Sequence, residues 1–319
     1  MKILTPLNDV SLLADYSRLG AEEFYLGFYD ETWQARFGKL ADINRMTGFG
    51  KLANRNSFEE AVAAVRQIKD ADKSAFITLN ANCYSAAQRA YLREHYLPVL
   101  REAGADGVIV SDLPTALTVA QGGLEPVAST MCAIYNSDIA NEYKQAGIRR
   151  MILPRDLSLA EIESIIAACP DVSYEVFFMR NGCIYADSYC LGMHRPELGA
   201  TCAFTRFKNI EARSEFTGFA DAHDEDVNNL LYNTMFHHEA CAMCALYRLL
   251  HIGVTSLKIV GRADDSEGIR RDISLTAENL AIAAECRSEQ EYLDRMQFAE
   301  NCPQKCRFGF SCYYPEVRF

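Results

Sequence analysis

The sequence predicts an α/β fold, a (β/α)8 TIM-barrel-like architecture, and three observations support this prediction. Eight short β-rich runs alternate with helical patterns along the 319 residues, which is typical of a parallel sheet that eight strands can close into a barrel. Four predicted helices end in a glycine that leads directly into the next strand, and glycine suits the left-handed position after a helix. These glycines are Gly20, Gly104, Gly147 and Gly253. The chain length fits one such barrel or two ordinary domains.

The predicted strands are runs of β-branched and aromatic residues that turn-forming residues separate from the helical patterns. In chain order they are residues 2–4, 23–27, 76–79, 107–110, 126–128, 150–153, 174–178 and 256–260. The second long helix begins with a capping box, because Ser57 is followed three residues later by Glu60. The predicted helices cover residues 9–20, 58–71, 85–103, 114–121, 137–146, 158–168, about 226–251 and 266–286.

The predicted organisation is one barrel domain over residues 1–300 and a cysteine-rich tail over residues 301–319 that packs on the barrel. The barrel includes a cysteine-rich insertion at residues 180–225, after the seventh strand. Catalytic residues of such barrels come from the C-terminal ends of the strands. We therefore expect this insertion to lie at the functional site.

Composition and charge limit the classes of function that we expect for the chain. With 49% hydrophobic and 24% charged residues, the chain has the composition of a soluble globular protein. It has no run of eighteen apolar residues and no signal-peptide layout, so we expect a cytoplasmic protein with reduced thiols. The net charge of −11 favours a small-molecule or peptide substrate over nucleic acid, because binding to phosphates needs a basic surface.

Eight of the twelve cysteines form two sets beyond residue 180. The first set, spaced by seven, twelve and thirty-nine residues, is Cys183, Cys190, Cys202 and Cys241. Four thiolates suit zinc or an iron–sulfur cluster, and reduced thiols point to metal rather than to disulfides. The alternative is that these cysteines pack as small apolar side chains.

The second set is Cys244, Cys302, Cys306 and Cys312. Four thiolates make a complete site for a metal centre. The tail spacing is not the usual two-residue spacing of zinc sites, and the softness of the ligands favours a second iron–sulfur cluster over a structural zinc. The alternatives are zinc and a tail that only packs. Cys241 and Cys244 could also exchange roles, since a Cys-x-x-Cys pair can ligate one metal. The remaining cysteines are predicted to pack in the core: Cys83, Cys132, Cys169 and Cys286.

Several phrases of the chain match a known family pattern. They are Glu23-Phe-Tyr-Leu-Gly27, Ile77-Thr-Leu-Asn80, the run from Gly104 to Leu113, Ala128-Ser-Thr130, the run from Ile152 to Ser158, Glu175-Val-Phe177 and the run from Ser256 to Arg262. Cys183 and Cys190 keep the seven-residue gap of this pattern, and Cys241 falls twelve residues before Gly253. Over most of its length the chain resembles the U32 peptidase family, which includes collagenase-like proteins, oxygen-independent ubiquinone hydroxylases, and tRNA and rRNA hydroxylation proteins.

The resemblance implies a barrel-like domain with a 4Fe–4S cluster on Cys183, Cys190, Cys202 and Cys241. It also implies a redox function, oxygen-independent hydroxylation with prephenate as the oxygen source. Three departures from the pattern indicate a divergent branch with its own substrate. Residues 179–182 lack the usual His-Gly, Asp187-Ser-Tyr189 replaces Ser-Gly, and Val260 replaces a glutamate.

A prephenate-like donor carries two carboxylates, so its site needs fixed cations, and the planar arginine fork suits a carboxylate. The candidate catalytic cations near predicted strand ends are Arg36, Arg155, Lys258 and Arg262. The candidate substrate-binding residues are Asn80, Thr130 and Arg180. Alternatively, the cations serve in structural ion pairs, and the polar side chains satisfy backbone groups at the barrel rim.

Three hypotheses of function result. The first is an iron–sulfur redox enzyme that hydroxylates a small molecule or a peptide. The second is a U32-type peptidase, although the sequence has no Gly-x-Ser-x-Gly, and His237-His238-Glu239 lacks a second histidine one turn on, where Cys241 stands. The third is a non-catalytic iron–sulfur partner of a second U32-type subunit, or an RNA-modification protein.

Overall fold

The computed structural model of the chain describes residues 1–183, 186–190, 240–299, 306 and 312–317. Eight parallel strands close into a barrel, which confirms the predicted fold. They are β1 Lys2–Pro6, β2 Glu23–Leu26, β3 Ser74–Leu79, β4 Gly107–Val110, β5 Pro126–Ala128, β6 Arg150–Ile152, β7 Ser173–Met179 and β8 Ser256–Ile259. Each strand pairs with the next, and β8 closes the barrel on β1, where Leu4 lies beside Lys258.

Helices flank the barrel strands. They are α1 Leu13–Arg18, α2 Glu31–Phe37, α3 Phe58–Asp70, α4 Ala86–Tyr91, α5 Leu97–Glu102, α6 Leu113–Gln121, α7 Ser137–Gln145, α8 Leu159–Ala168, α9 Leu246–His251, α10 Ser266–Glu285 and α11 Glu289–Arg295. A π-helical turn, Leu92–Tyr96, joins α4 to α5. The short strands Phe28–Tyr29 and Asn56–Ser57 form a separate ribbon. No helix in the described part of the chain is long and apolar enough to cross a membrane.

Local signals in the sequence explain where these helices begin and end. Ser57 and Glu60 form the expected capping box at α3, in which the Ser57 side chain accepts from the Glu60 amide and the Glu60 carboxylate accepts from the Ser57 amide. The four predicted glycines have φ between 88° and 116°, a conformation that costs other residues steric strain. They are Gly20, Gly104, Gly147 and Gly253.

Some predicted elements differ from the observed ones. The predicted first helix starts as a 3-10 turn, Val10–Leu12, and only then becomes α1. The sequence interpretation missed α2 and α11, two seven-residue helices too short to carry a clear apolar period, although Asp30 and Ser288 cap them. Of the helix predicted at residues 226–251, the described residues contain α9; residues 226–239 lie outside the described part.

The core has two parts. The larger part fills the space between strands and helices, where aliphatic and aromatic side chains pack on one another. The smaller part lies inside the barrel and consists of Leu4, Tyr25, Phe76, Ile109, Val127 and Ile152. This apolar layer separates the N-terminal end of the barrel from the C-terminal end, which we call the mouth.

Candidate functional site

Four charged side chains form an ionic network inside the barrel, which we call the interior network: Glu23, Arg150, Glu175 and Lys258. Arg150 on β6 donates to Glu23 across the barrel at 2.9 Å and to Glu175 at 3.0 Å. Lys258 Nζ lies 2.8 Å from the other oxygen of Glu175 and 4.2 Å from the Tyr25 ring centroid. Two cations thus face two carboxylates. Buried charges need such pairing, because removal from water is costly.

This network contains Lys258, a predicted catalytic residue. Its side chain is 7% exposed and bonds to Glu175 inside the barrel. Burial lowers the pKa of Lys258, and the Glu175 carboxylate opposes that shift. Because Lys258 already has a carboxylate partner, its contacts are those of a structural ion pair. Its catalytic role stays a prediction.

At the mouth, a buried aspartate lies between two arginines. The Asp187 side chain is fully buried, and its carboxylate accepts from Arg45 at 2.8 Å and from Arg155 at 2.8 and 3.1 Å. Burial alone would raise the pKa of Asp187, but the charges of Arg155 and Arg45 outweigh it and hold the pKa far below its usual value. Asp187 belongs to a 3-10 turn, Asp187–Tyr189, that leads into Cys190.

Cys190 is held at the mouth by hydrogen bonds to residues that follow β3 and β7. Its amide donates to the Asp187 carbonyl at 3.0 Å, and its carbonyl accepts from the Asn82 side chain at 2.8 Å. The turn Asp187–Tyr189 packs against the turn Thr130–Cys132, which follows β5. Thr130, a predicted substrate-binding residue, is buried in that turn. Asn80, another, accepts from the Arg45 amide at 3.3 Å.

Cys183 follows the end of β7 through two residues in the left-handed region, Arg180 with φ 67° and Asn181 with φ 49°. Such values are uncommon outside glycine, and surrounding contacts hold them here. Arg180 pairs with Asp272 and Asp264, and Asn181 donates to Asp264 at 3.0 Å. Arg180, predicted to bind substrate, therefore already has two carboxylate partners.

Cys241 lies beside the end of β7 and beside the tail. It forms an antiparallel bridge with Met179 and a parallel bridge with Cys312. The Tyr313 amide donates to the Cys241 carbonyl at 3.1 Å, and the Tyr313 hydroxyl donates to the Arg180 carbonyl. Burial raises the pKa of Tyr313, and the nearby Cys183 and Cys241 add to the increase. The tail is therefore attached to the strand end that carries the first cysteine.

Arg262 is a buried cation that is held by neutral side chains. Its guanidinium donates to Thr78 at 2.9 Å, Asn44 at 3.1 Å and Asn54 at 3.2 Å. Among the described residues no carboxylate forms an ion pair with it. Burial, together with the nearby Arg45 charge, lowers the pKa of Arg262 to about 10, so it stays cationic at neutral pH. Glycine at position 27 makes room, since a Cβ there would lie 1.9 Å from Arg262 Nη1.

Arg36 is apart from these mouth residues. It is exposed in the last turn of α2, with its guanidinium carbon 5.3 Å from the Tyr91 ring centroid and 5.7 Å from that of Phe37. Its catalytic role stays a prediction.

The sequence interpretation missed three residues of the mouth, Arg45, Asp187 and Tyr313. The one available signal was the position of Asp187 between two predicted ligands, Cys183 and Cys190.

The donor chemistry of the mouth suits a thiolate-bound centre. Cys183 and Cys190 flank Arg155, Asp187 and Arg45, and the Cys183 and Cys241 charges both act on Tyr313. Cysteine thiolates are the ligands of iron–sulfur clusters, and nearby arginines offset their charge. Within the described residues, no three His, Cys, Asp or Glu side chains form a ligand group for one ion. Cys202 lies outside that part.

The second set is described in part. Cys244 and Cys306 are buried, and burial with the nearby Cys244 and Cys241 charges raises the pKa of Tyr292. Cys302, His237, His238 and Glu239 lie outside the described residues. Of the four cysteines predicted to pack, three are buried, but Cys83 is exposed, so that prediction is wrong for Cys83. It follows β3 in the loop at the mouth, where water reaches it.

A comparison with known protein families identifies the group to which the chain belongs. The model of peptidase family U32 matches residues 15–318. The chain belongs to peptidase family U32. This match confirms the family resemblance found in the sequence.

Three curated relatives of this U32 protein match part of its length. The uncharacterized protease MJ0090 of Methanocaldococcus jannaschii is 29% identical over 167 residues, 52% of this chain and 36% of the relative. The tRNA hydroxylation protein P of Escherichia coli is 27% identical over 43% of this chain and 30% of its own length. The Helicobacter pylori protein of the same name is 23% identical, over 58% and 42%. The matched stretches therefore span less than half of each relative.

A solved structure of the U32 peptidase Mk0906 resembles this chain with a TM-score of 0.43 and 15% identity, over 56% of this chain and 69% of that one.

Proposed function

We propose that this U32 protein is an iron–sulfur redox enzyme that hydroxylates its substrate without molecular oxygen. One observation carries the proposal: the segments of Cys183, Cys190 and Cys241 are fixed at one mouth of the barrel, beside buried arginines. In barrels of this kind the C-terminal strand ends carry the chemistry. The names of two relatives, each a tRNA hydroxylation protein P, support hydroxylation as the reaction class.

The cofactor in this proposal is a 4Fe–4S cluster on Cys183, Cys190, Cys202 and Cys241, which would supply electron transfer. The second cysteine set would hold another cluster or a zinc ion. The chain's own residues would hold the thiolates in place and offset their charge. Arg45 and Arg155 both bind the carboxylate of Asp187. Arg45 also lies near Cys190, and Arg155 lies near Cys183, so these guanidinium groups can offset the charge of the thiolates.

Arg262 supports a site for an anionic oxygen donor of the prephenate type. It is a buried guanidinium held by neutral amide and hydroxyl oxygens, and a carboxylate is the usual partner of such a group. In the overall reaction a substrate C–H becomes C–OH while the donor's C–OH becomes C–H. The donor is then the two-electron oxidant, and dioxygen is not needed.

Two observations favour different classes of substrate. The net charge of −11 favours a small molecule or a peptide, while the names of the two hydroxylation relatives bring in tRNA. We propose cytoplasmic action on one of these substrates, either alone or with a second U32-type subunit.

Metal analysis of protein purified without oxygen tests the cofactor. We expect about four irons per chain for one cluster or about eight for two, with broad visible absorption. Cys190→Ala should abolish the absorption of the first cluster, while Cys83→Ala, which changes an exposed cysteine, should leave it unchanged. Full absorption in Cys190→Ala would contradict the ligand assignment, and zinc without iron would turn the proposal toward a structural or hydrolytic site.

The reaction is tested by anaerobic incubation of the iron-loaded protein with prephenate and each candidate substrate. A gain of one oxygen atom, detected by mass spectrometry in tRNA, a peptide or a small molecule, identifies the substrate. Peptide cleavage by metal-free protein would instead favour the peptidase hypothesis. Activity that appears only with an added second U32-type protein would favour the partner-subunit hypothesis.

A further inference from the structure

Asp187 has an unusual environment for a residue in a short turn. Its side chain has no exposed surface, yet it bears a full charge. A buried carboxylate of this kind is stable only when charged donors satisfy its oxygens. Here Arg155 Nε binds Oδ2, while Arg155 Nη2 and Arg45 Nη1 both bind Oδ1. The turn that leads into Cys190 is therefore anchored through a side chain rather than through a regular element.

One guanidinium connects the two cysteine-bearing segments. Besides its two bonds to Asp187, Arg155 donates through Nη1 to the carbonyl of Asn181, two residues before Cys183. Its guanidinium carbon also lies 4.4 Å from the ring centroid of Phe177 on β7. Arg155 thus contacts the chain before Cys183 and before Cys190 at the same time, so its position sets the distance between these two segments.

The second arginine ties the same carboxylate to another part of the barrel. Arg45 comes from the loop between β2 and β3, and its amide is held by Asn80 at the end of β3. The Asp187 carboxylate therefore links the loops after β2, β6 and β7. Since the Asp187 carbonyl also accepts from the Cys190 amide at 3.0 Å, a displacement of Asp187 would move the Cys190 backbone directly.

We propose that Arg45, Asp187 and Arg155 form a clamp that positions Cys183 and Cys190 for cluster binding, with Asp187 as its central residue. Arg155 is then a positioning residue rather than a catalytic one, because three of its donor bonds go to Asp187 and Asn181. The inference rests on the proposed function, in that it takes Cys183 and Cys190 to be cluster ligands. It adds a specific role for residues outside the cysteine pattern.

The test compares Asp187→Asn with wild type as anaerobically purified, iron-loaded protein. Asparagine keeps the shape of the side chain but removes its charge, so the charge-assisted bonds to Arg45 and Arg155 weaken. We expect chelator-driven loss of the visible absorption to become about tenfold to a hundredfold faster, from the usual strength of bonds to charged groups. The EPR spectrum of the reduced cluster should also change, because the cysteine geometry and the local charge change.

Asp171→Asn is the matched control. Asp171 precedes β7, at the end of the barrel opposite to the mouth, and its exposed side chain pairs with Lys144 instead of joining the clamp. It should keep the wild-type rate and spectrum. Arg155→Lys is a second test if Asp187→Asn does not fold: lysine keeps the positive charge but cannot reach Asp187 and Asn181 with a planar fork, so cluster loss should again be faster than in wild type.

The outcomes separate the clamp from the proposed function. Iron-loaded Asp187→Asn and Arg155→Lys with wild-type cluster loss and EPR spectra would overturn the clamp and leave the cluster intact as a proposal. Wild-type protein that binds no iron when purified without oxygen would overturn both. Faster loss in Asp187→Asn, with an unchanged control, supports the clamp.

Discussion

Buried charges are arranged differently at the two ends of the barrel. The interior network lies toward the N-terminal end, where Glu23 and Arg150 begin β2 and β6. In the interior network, Arg150 and Lys258 face the two carboxylates Glu23 and Glu175, so cations and anions are matched. At the mouth, Arg45 and Arg155 both bind Asp187, and Arg180 pairs with Asp264 and Asp272. The described partners of Arg262, by contrast, are neutral. Among the described residues, each cation of the interior network therefore has a carboxylate partner, whereas the buried guanidinium of Arg262 at the mouth is held by neutral groups.

This difference separates structure from function within one fold. A balanced buried network can stabilise the barrel without any ligand, although the cost of desolvation limits its net contribution. A buried cation without a carboxylate partner among the described residues, as Arg262 is, is costly unless an anion accompanies it. Cysteine thiolates and a carboxylate ligand are both anionic, and both belong to the function proposed for the mouth. Experiments that neutralise single charges at each end can test this distinction.

The largest effect on stability is expected from Glu175→Gln in the interior network. The substitution leaves Arg150 and Lys258 with the single carboxylate of Glu23, in a region where water cannot replace the lost charge. Breaking a buried pair from one side costs about 3–5 kcal/mol of unfolding free energy. Urea unfolding of the metal-free protein measures it. Glu163→Gln on the exposed face of α8 is the control and should change stability by less than about 0.5 kcal/mol.

A smaller effect on stability is expected from Arg262→Gln at the mouth. The glutamine amide keeps a donor for the neutral oxygens of Thr78 and Asn54. The substitution also removes a buried charge that has no carboxylate partner among the described residues, which relieves the cost of its desolvation. The free energy of unfolding should therefore fall by no more than about 1–2 kcal/mol, the range for neutral hydrogen bonds. Binding of prephenate, measured by calorimetry on the iron-loaded protein, should be lost. A loss of stability as large as that of Glu175→Gln would break the comparison between the two ends.

The pH dependence of stability sharpens the description of the interior network. Burial would raise the pKa of Glu23, but Arg150 and Ser256 outweigh it and hold the pKa below its usual value. A carboxyl with a lowered folded pKa adds stability above its unfolded pKa, near 4.3, and this contribution is lost as the pH falls through the folded pKa. The difference in unfolding free energy between wild type and Glu23→Gln should thus shrink as the pH is lowered from about 6 to about 3. A difference that is constant over this range would contradict the assignment.

The barrel could be predicted from the sequence because its signals are local. Ser57 with Glu60 and the glycine after each helix mark element boundaries within a few residues of one another, and the structure has the same capping box and left-handed glycines. The predicted strands 107–110 and 126–128 coincide with β4 and β5. The place of the cysteine insertion, after the seventh strand, follows from the same local reading.

The contacts that define the site join residues that are far apart in the sequence, so no periodic pattern of residues predicts them. Arg45 and Asp187 are 142 residues apart, and Arg45 lies in a loop without a repeating pattern. Lys258 was expected at a strand end, but β8 continues to Ile259, and Lys258 points into the barrel toward Glu175. The backbone bridge between Cys241 and Cys312 likewise depends on how the tail returns to β7. Such contacts follow from closure of the barrel and not from neighbouring residues.

The smallest effect is expected from Lys2→Met at the solvent end of the interior network. Lys2 Nζ lies 3.4 Å from Glu23, but the lysine side chain is 51% exposed, so water screens the pair. Glu23 also keeps its bonds to Arg150 and to Ser256, the latter at 2.7 Å, after the substitution. Urea unfolding should show a change below about 1 kcal/mol. A loss close to that of Glu175→Gln would mean that the network depends on charges at the surface, and the balance inside the barrel would then not be set by its buried members alone.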